Sequence, residues 1–528
     1  MAAGRGRALL EGTVKNAMKF PRQYNAVNDF VDRNVRQGHG AKVAFVDAER
    51  SLTYEALQIG TRKMANLLSG HQIRREGRIA MLMLDTVDFP IVFWGALRAG
   101  VVPVCLNTLL PAQQYEYMLS DSRAEALIVS GELLPVVAPI LGALPFLKHV
   151  VVVGREAGGH RSLDDLLATA SDTFATADTC ADETAFWLYS SGSTGDPKGV
   201  RHVHSSPMYV AGHYGRGVLG IEHDDVCFSA AKLFFAYGLG AGMAVPMSVG
   251  ATTVLMAERP TPQSVLDVLQ RHQPTLFFGV PTLYAAMLAR PDCTPRNGSA
   301  RLRLCISAGE ALPEEVGKTW KRRMGVDILD GIGSTEMLHV FLTNRPDDIR
   351  YGTSGKGFDG YKLRLVDDDG RDVSTGEIGE LLVCGGSAAD GYWNQREKSR
   401  ATFEGVWTRT GDKYFQDDDG YYHFCGRRDD MFKVGGRWVS PFEVEQALVS
   451  HPAVLEAAVV AKEDADGLVK PKAFVVLNAD AGQDCLFEPL KAHVKSMIGA
   501  WKYPRWIDFV DSLPKTATGK IQRYKLRD

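Results

Sequence analysis

The sequence predicts an α/β protein, with a large N-terminal domain of helix-covered sheets followed by a small α+β C-terminal domain. Three observations carry this. Short β-branched runs alternate with apolar-periodic stretches through the first part of the chain. A polar pair, Asp429-Asp430, follows a strand signal and marks a natural boundary. A second, shorter set of strand and helix signals lies beyond it. With 528 residues, 45% of them hydrophobic and 23% charged, the chain is long enough for more than one domain.

In order, residues 43–47 read as a short strand. In 51–57 a hydroxyl and Glu55 stand near the start of an apolar-periodic run, which marks a helix N-terminus. A strand at 78–83, a helix ending at Gly100, a strand at 101–106, a helix through Tyr115 and Met118, and a strand at 126–129 follow. This rhythm implies a mainly parallel sheet with helices on both faces. Residues 233–257 carry no charge, but Gly238, Gly240, Gly242, Gly250, Pro246 and the β-branched close at 251–255 disfavour a membrane span. They fit a glycine-punctuated turn, a buried helix and a strand in a core. Past the boundary, residues 433–441 form a glycine turn leading into a helix with Glu443 and Glu445, and strands are expected at 455–461 and 473–477.

A net charge of -3 gives no electrostatic argument for nucleic acid or an anionic membrane, and neither is expected as a partner. The eight cysteines are scattered without a CxxC, as reduced thiols of a cytoplasmic protein would be. The basic N-terminus has only a very short apolar run before Glu11, so no secretory signal is expected. A monomer or homodimer is expected.

The most informative stretch, residues 189–200, reads YSSGSTGDPKGV directly after the apolar 185–188 run. Gly192 and Gly195 let backbone approach a ligand, Ser190, Ser191, Ser193 and Thr194 supply hydroxyls, and Lys198 supplies a point charge, a combination suited to nucleotide phosphates. It is not a Walker loop, because Lys198 follows Pro197 and precedes Gly199. Two further apolar runs end in glycine turns, at 305–310 and at 330–336, and both look like strand ends beneath a ligand.

Together with 379–383, Gly391-Tyr392-Trp393, Thr410-Gly411-Asp412, 426–430 and the terminal PKTATGK, these segments resemble, in order and over nearly the whole chain, the acyl-adenylate-forming superfamily of acyl-CoA ligases, luciferases and peptide-synthetase adenylation domains. The resemblance implies the luciferase-like fold, with an AMP- and acyl-binding domain over 1–428 and a mobile domain over 429–528 hinged at Asp429. It implies that the 190–195 loop and Lys198 hold ATP phosphates. Ser307, Ala308, Gly309, Glu310, Asp330, Gly331, Ile332, Gly333, Ser334 and Thr335 would then flank the adenine and α-phosphate. Asp412 would serve the ribose, Arg427 the ribose or phosphates, and Glu336 would help hold magnesium. Lys520, Glu336 and Thr194 are the implied catalytic residues, and Lys433, Gly435 and Gly436 line the path of coenzyme A. ATP, magnesium and coenzyme A are thus the expected cofactors and co-substrates.

At 233–238, where amino-acid-activating relatives carry an aspartate, this chain reads LFFAYG, so an amino-acid substrate is disfavoured. Phe235 and Tyr237 offer flat walls with Ala236 between them, or else they are core packing. Gly331 and Gly333 bare the opposite side, and His339 either lines the pocket or is a satisfied core histidine. GIGSTEMLH at 331–339 is most similar to benzoate-CoA ligases, which implies an aromatic carboxylate as substrate and a place in aromatic-acid degradation. His202 and His204 are assigned no structural metal, since no third ligand is near in sequence. The chain ends soon after Lys520 with no carrier domain in cis, so free coenzyme A is the expected acceptor. The alternatives are a stand-alone enzyme that loads a separate carrier protein and a nucleotide-binding protein without catalysis.

Overall fold

The computed structural model describes residues 14, 16–154, 158–190, 196–428, 430–434, 437–465, 467–478, 486–499, 501–515 and 521–527. Two large sheets organise the first four hundred or so of them, as the expected helix-covered sheets, and the strands read between 43 and 129 are shared between the two. The first has nine strands. Its centre, running from Ile328–Gly333 through Leu304–Ser307, Leu276–Gly279, Val226–Ser229 and Thr252–Val254 to Val43–Val46, is parallel. The second has eight strands, and Thr184–Ser190, Val102–Cys105, Arg78–Leu82, Ala126–Ser130 and His149–Val153 run parallel within it.

Each parallel sheet closes with an antiparallel return. In the first, Val340–Thr343 runs back along Ile328–Gly333; in the second, Lys198–Val203 runs back along Thr184–Ser190, with Gly391–Tyr392 beyond it. A five-stranded antiparallel sheet, which includes Trp407–Gln416 and Tyr422–Arg427, follows. The C-terminal region holds the Phe432–Val434/Arg437–Val439 hairpin and a three-stranded sheet of Val454–Glu463, Val469–Leu477 and Trp506–Phe509.

Local chemistry explains where elements begin. Residues Ser51–Thr53 form a short strand rather than the first turn of the expected helix, and that helix spans Tyr54–Gly70. Its cap is Thr53, whose hydroxyl accepts from Ala56 N. The Asp88–Arg98 helix is buried on every side, the pattern of a helix enclosed in a core. The uncharged 233–257 stretch forms a buried helix followed by the Thr252–Val254 strand. Its glycines serve close packing, since a Cβ at Gly240 would collide with the His339 ring and one at Gly242 would lie 2.8 Å from Leu233 Cδ2. No helix among the described residues is long and apolar enough to cross a membrane.

Arg98 is 1% exposed and bonds Asp32 through Nη2 at 2.8 Å and Nη1 at 3.2 Å, with Thr61 and Thr176 accepting from Nε and Nη1. Burial pushes the Asp32 carboxyl up, yet the hydrogen bonds and charge of Arg98, aided by Gln58, outweigh this and hold it below the usual carboxylate range. Its stabilising contribution is therefore present above the ordinary aspartate range and lost as pH falls through the depressed value. Arg98→Ala is expected to destabilise the protein by about 3–5 kcal/mol, because it strands a buried charge. Denaturant unfolding measures this, and a loss below about 1 kcal/mol would show that Asp32 regains water.

Candidate active site

The glycine- and hydroxyl-rich stretch is the connection of an antiparallel hairpin, with Ser190 paired to Lys198 and Tyr189 to Gly199. Its tip, Ser191, Gly192, Ser193, Thr194 and Gly195, lies outside the described residues. The stem is clamped from the side. Tyr189 Oη donates to Asp121 Oδ2 at 2.7 Å, Trp393 Nε1 donates to Asp121 O at 2.9 Å, and Trp393 N donates to Gly199 O at 2.8 Å. A Cβ on Gly199 would lie 3.3 Å from the Trp187 ring, so glycine suits this crowded position.

The second sheet's return strands lead to Glu336, beside the first sheet. The Lys198 ammonium lies 4.4 Å from the Tyr392 ring centroid, and Tyr392 Oη donates to Glu336 Oε1 at 2.8 Å. Burial lowers the Lys198 pKa, with the charge of Glu336 opposing. Glu336 sits in a turn closed by Ser334 Oγ accepting from Met337 N at 3.2 Å, not at a helix start, so a helix dipole does not account for it. His202 supports the same turn. Its Nε2–H donates to Thr335 O at 2.8 Å, and burial pushes its pKa down to about 4, which keeps the ring neutral. His204 accepts from Ala26 N through Nδ1 at 3.3 Å, so each imidazole of this pair has a backbone partner.

Ser307 and Asp330 are paired across adjacent parallel strand ends. Asp330 Oδ2 accepts from Leu312 N at 3.2 Å, while burial pushes the carboxyl up to about 8 against that bond and its other donors. Ser307 and the Gly331 N–H lie near that carboxyl and oppose its burial, while Asp330 Oδ1 and Ser307 Oγ, both buried, make no hydrogen bond of regular geometry among the described residues, an arrangement that suits a ligand's polar edge. Ala308 is buried beside them, and Gly309 has φ 99°, so the chain turns sharply there toward Glu310.

Asp412 and Arg427 face each other in register on neighbouring strands, joined by an ion pair at 2.9 Å. The attraction of Asp412 raises the Arg427 pKa, with burial opposing, which keeps the guanidinium charged. Lys433 lies on the C-terminal hairpin. Gly435, Gly436, the hinge candidate Asp429 and the lysine candidate Lys520 lie outside the described residues.

The aromatic segment is placed by the first sheet. Tyr237 Oη donates to Gly279 O and Ile306 O, both at 3.2 Å, at the ends of two parallel strands. Its ring faces His339 at 5.6 Å and Phe278 at 6.3 Å between centroids. Ala236 is buried beside it and Phe235 is half-buried. His339 Nε2 bonds Tyr237 O at 3.2 Å, and burial pushes its pKa down to about 4, so this ring is neutral as well. Gly331 and Gly333 have a different immediate reason from the ring-sized opening the sequence suggests. A Cβ at Gly331 would lie 2.7 Å from Thr343 Oγ1 and one at Gly333 2.6 Å from His339 O, so the bare positions admit the returning strand. Ile332 lies between them on the same strand. Sequence reasoning gave Tyr392 no role and missed Asp121 altogether; the Gly-Tyr-Trp motif held the signal for the first, and nothing local marks the second.

Among the described residues, a carboxylate held by a tyrosine, buried polar atoms at strand ends and an Asp–Arg pair are the polar groups these strands bring forward. The chain belongs to the AMP-binding enzyme family, the acyl-adenylate-forming superfamily: the family's profile matches residues 31–393, and that of the AMP-binding enzyme C-terminal domain matches residues 443–520. It is 58% identical over 509 residues to the 4-hydroxybenzoate–CoA/benzoate–CoA ligase of Rhodopseudomonas palustris, covering 96% of this chain and 94% of that one. To the benzoate–CoA ligase of Thauera aromatica it is 56% identical over 514 residues, covering 97% of each. Among solved structures, the anthranilate CoA ligase AuaEII in complex with anthranoyl-AMP superposes with a TM-score of 0.93 at 44% identity, covering 96% of this chain and 98% of that one.

Proposed function

We propose that this protein is an ATP-dependent aryl-CoA ligase that converts benzoate, ATP and CoA to benzoyl-CoA, AMP and pyrophosphate. A benzoate oxygen attacks the α-phosphorus, pyrophosphate leaves, and benzoyl-AMP forms. The CoA sulfur then attacks the acyl carbon, AMP leaves, and the thiol proton passes to solvent. The observation that carries the reading is the uncharged, aromatic segment 233–238, with Tyr237 fixed by two backbone carbonyls beside the nucleotide strands.

The chain's own residues divide the labour. The 190–195 loop and Lys198 bind the phosphates, Asp330 and Ser307 meet the adenine edge, and Asp412 with Arg427 orients the ribose. Lys520 balances charge at the α-phosphate in the first step. Glu336, a hard oxygen donor braced by Tyr392, would hold magnesium, which supplies charge neutralisation on the phosphates when bound. The chain divides at 428/429 with Asp429 as hinge, and eight cysteines scattered without a CxxC fit a cytoplasmic location.

The test is a panel of carboxylic acids with ATP, magnesium and CoA, reading AMP and thioester together. Benzoate is expected to give equal amounts of both and to exceed short aliphatic acids in kcat/KM. AMP without thioester would overturn the assignment of CoA as acceptor.

A further inference from the structure

One wall of the acyl pocket is tied to the other large sheet by a polar contact. Asp85 lies between the Arg78–Leu82 strand and the Asp88–Arg98 helix and is 3% exposed. Both of its carboxylate oxygens accept from Leu233 N, at 3.2 Å each. The preceding residue, Lys232, donates its ammonium to the carbonyls of Met256, Ala257 and Glu258, and its charge attracts Asp85. The chain then folds back on itself. Phe235 N donates to Lys232 O at 3.0 Å, and Gly238 packs so closely on that carbonyl that a Cβ would collide with it. Asp85 and Lys232 thus bracket a tight bend that presents Phe235, Ala236 and Tyr237.

Such a contact is a poor way to add stability. Leu233 and Phe234 are buried in the apolar core around it, and burial pushes the Asp85 carboxyl up to about 6 against the pull of Lys232 and the Leu233 N–H. An apolar residue there would avoid that desolvation, whereas a carboxylate fixes the position of the group it holds. We propose that Asp85, together with Lys232, is a positioning residue for the acyl pocket. Its carboxylate sets the seat of the 233–238 bend and hence how closely Ala236 and Tyr237 approach the ring of the bound acid. This rests on the aryl-CoA ligase reading.

Asp85→Asn keeps an acceptor for Leu233 N–H and loses the charge; Asp85→Ala loses both. The alanine variant is expected to raise KM for benzoate by about tenfold and to shrink the kcat/KM ratio of benzoate to butyrate, with KM for ATP changed less than about twofold. The asparagine variant is expected to recover most of the benzoate KM. As pH falls from about 8 to about 5, benzoate KM of the unmodified enzyme should drift toward that of Asp85→Asn, because a protonated Asp85 loses its hold on Lys232 but keeps an acceptor for Leu233 N–H, while KM of Asp85→Asn itself should stay level. The charged groups facing Asp85 are Lys232 and, beyond it, Glu258. Nearby in the chain, Asp47 accepts from Val87 N at 2.9 Å, and Arg50 is paired with Asp88. Benzoate and ATP KM rising together, or an unchanged benzoate-to-butyrate ratio in both variants, would overturn the proposal. An unmodified enzyme inactive on benzoate but active on other acids would instead defeat the substrate reading, and this proposal with it.

Discussion

Lys520→Ala is expected to slow benzoyl-adenylate formation by roughly 10²–10³-fold or more while leaving thioester formation from supplied benzoyl-AMP within a few-fold of the unmodified enzyme. Only in the first half-reaction does the α-phosphorus itself undergo attack and lose pyrophosphate, so a counter-ion aimed at that centre matters most in that step. The flanks of the PKTATGK loop are held independently of that lysine. Lys515 and Ile521 form an antiparallel bridge, Gln522 N donates to Pro514 O at 2.8 Å, and Lys515 pairs with Glu456 at 2.6 Å. Arg523 grips Glu445 through Nε at 2.9 Å and Nη2 at 2.7 Å. Alanine therefore removes an ammonium without releasing the loop. Pyrophosphate exchange reads the first step and thioester yield the second; equal loss in both would remove Lys520 from the chemistry.

Tyr237→Ala is expected to lower kcat/KM for benzoate far more than for a short aliphatic acid. Truncating a buried aromatic costs about 3–5 kcal/mol in a core and less in a ligand pocket, and only the aromatic substrate uses that wall. The comparison with Tyr237→Phe is informative, because it keeps the ring and removes the two bonds to Gly279 O and Ile306 O. Ile306 O retains a second donor, Tyr284 Oη at 2.9 Å, so one of the two carbonyls stays satisfied. Discrimination should survive in the phenylalanine variant and shrink in the alanine one. If alanine lowers both acids equally, the residue supports the fold and does not read the ring.

The parallel sheets were legible because each strand is a short apolar run followed by a helical period, a local pattern that survives without tertiary information. Which strand belongs to which sheet was not legible, since strand order depends on pairings between distant segments such as Val43–Val46 with Thr252–Val254. The hydroxyl-rich hairpin, Asp412, Arg427 and Tyr237 were singled out from motif order, but that Asp412 pairs with Arg427 was not. Tyr392, Asp121 and Asp85 have roles that exist only through partners far along the chain. Asp85 and Leu233, 148 residues apart, leave no periodic trace of their contact. Gly331 and Gly333 were recognised as necessary glycines, but the neighbour that requires them is a returning strand.

The grip on the C-terminal tail bears on the direction of the reaction. Arg523 and Arg527 both pair with Asp430, next to the proposed hinge, so the segment after Lys520 is stapled to the start of its own domain. A lysine on a free loop would come and go by itself. On the proposed reading, a lysine whose following segment is stapled in this way would arrive and depart only with the whole domain. By microscopic reversibility, the group that speeds adenylate formation also speeds attack of pyrophosphate on the adenylate. On the proposed reading, a swing of the domain would end both accelerations together, and the tail would act as a check valve that shelters the activated acid from running backwards while it waits for a thiol.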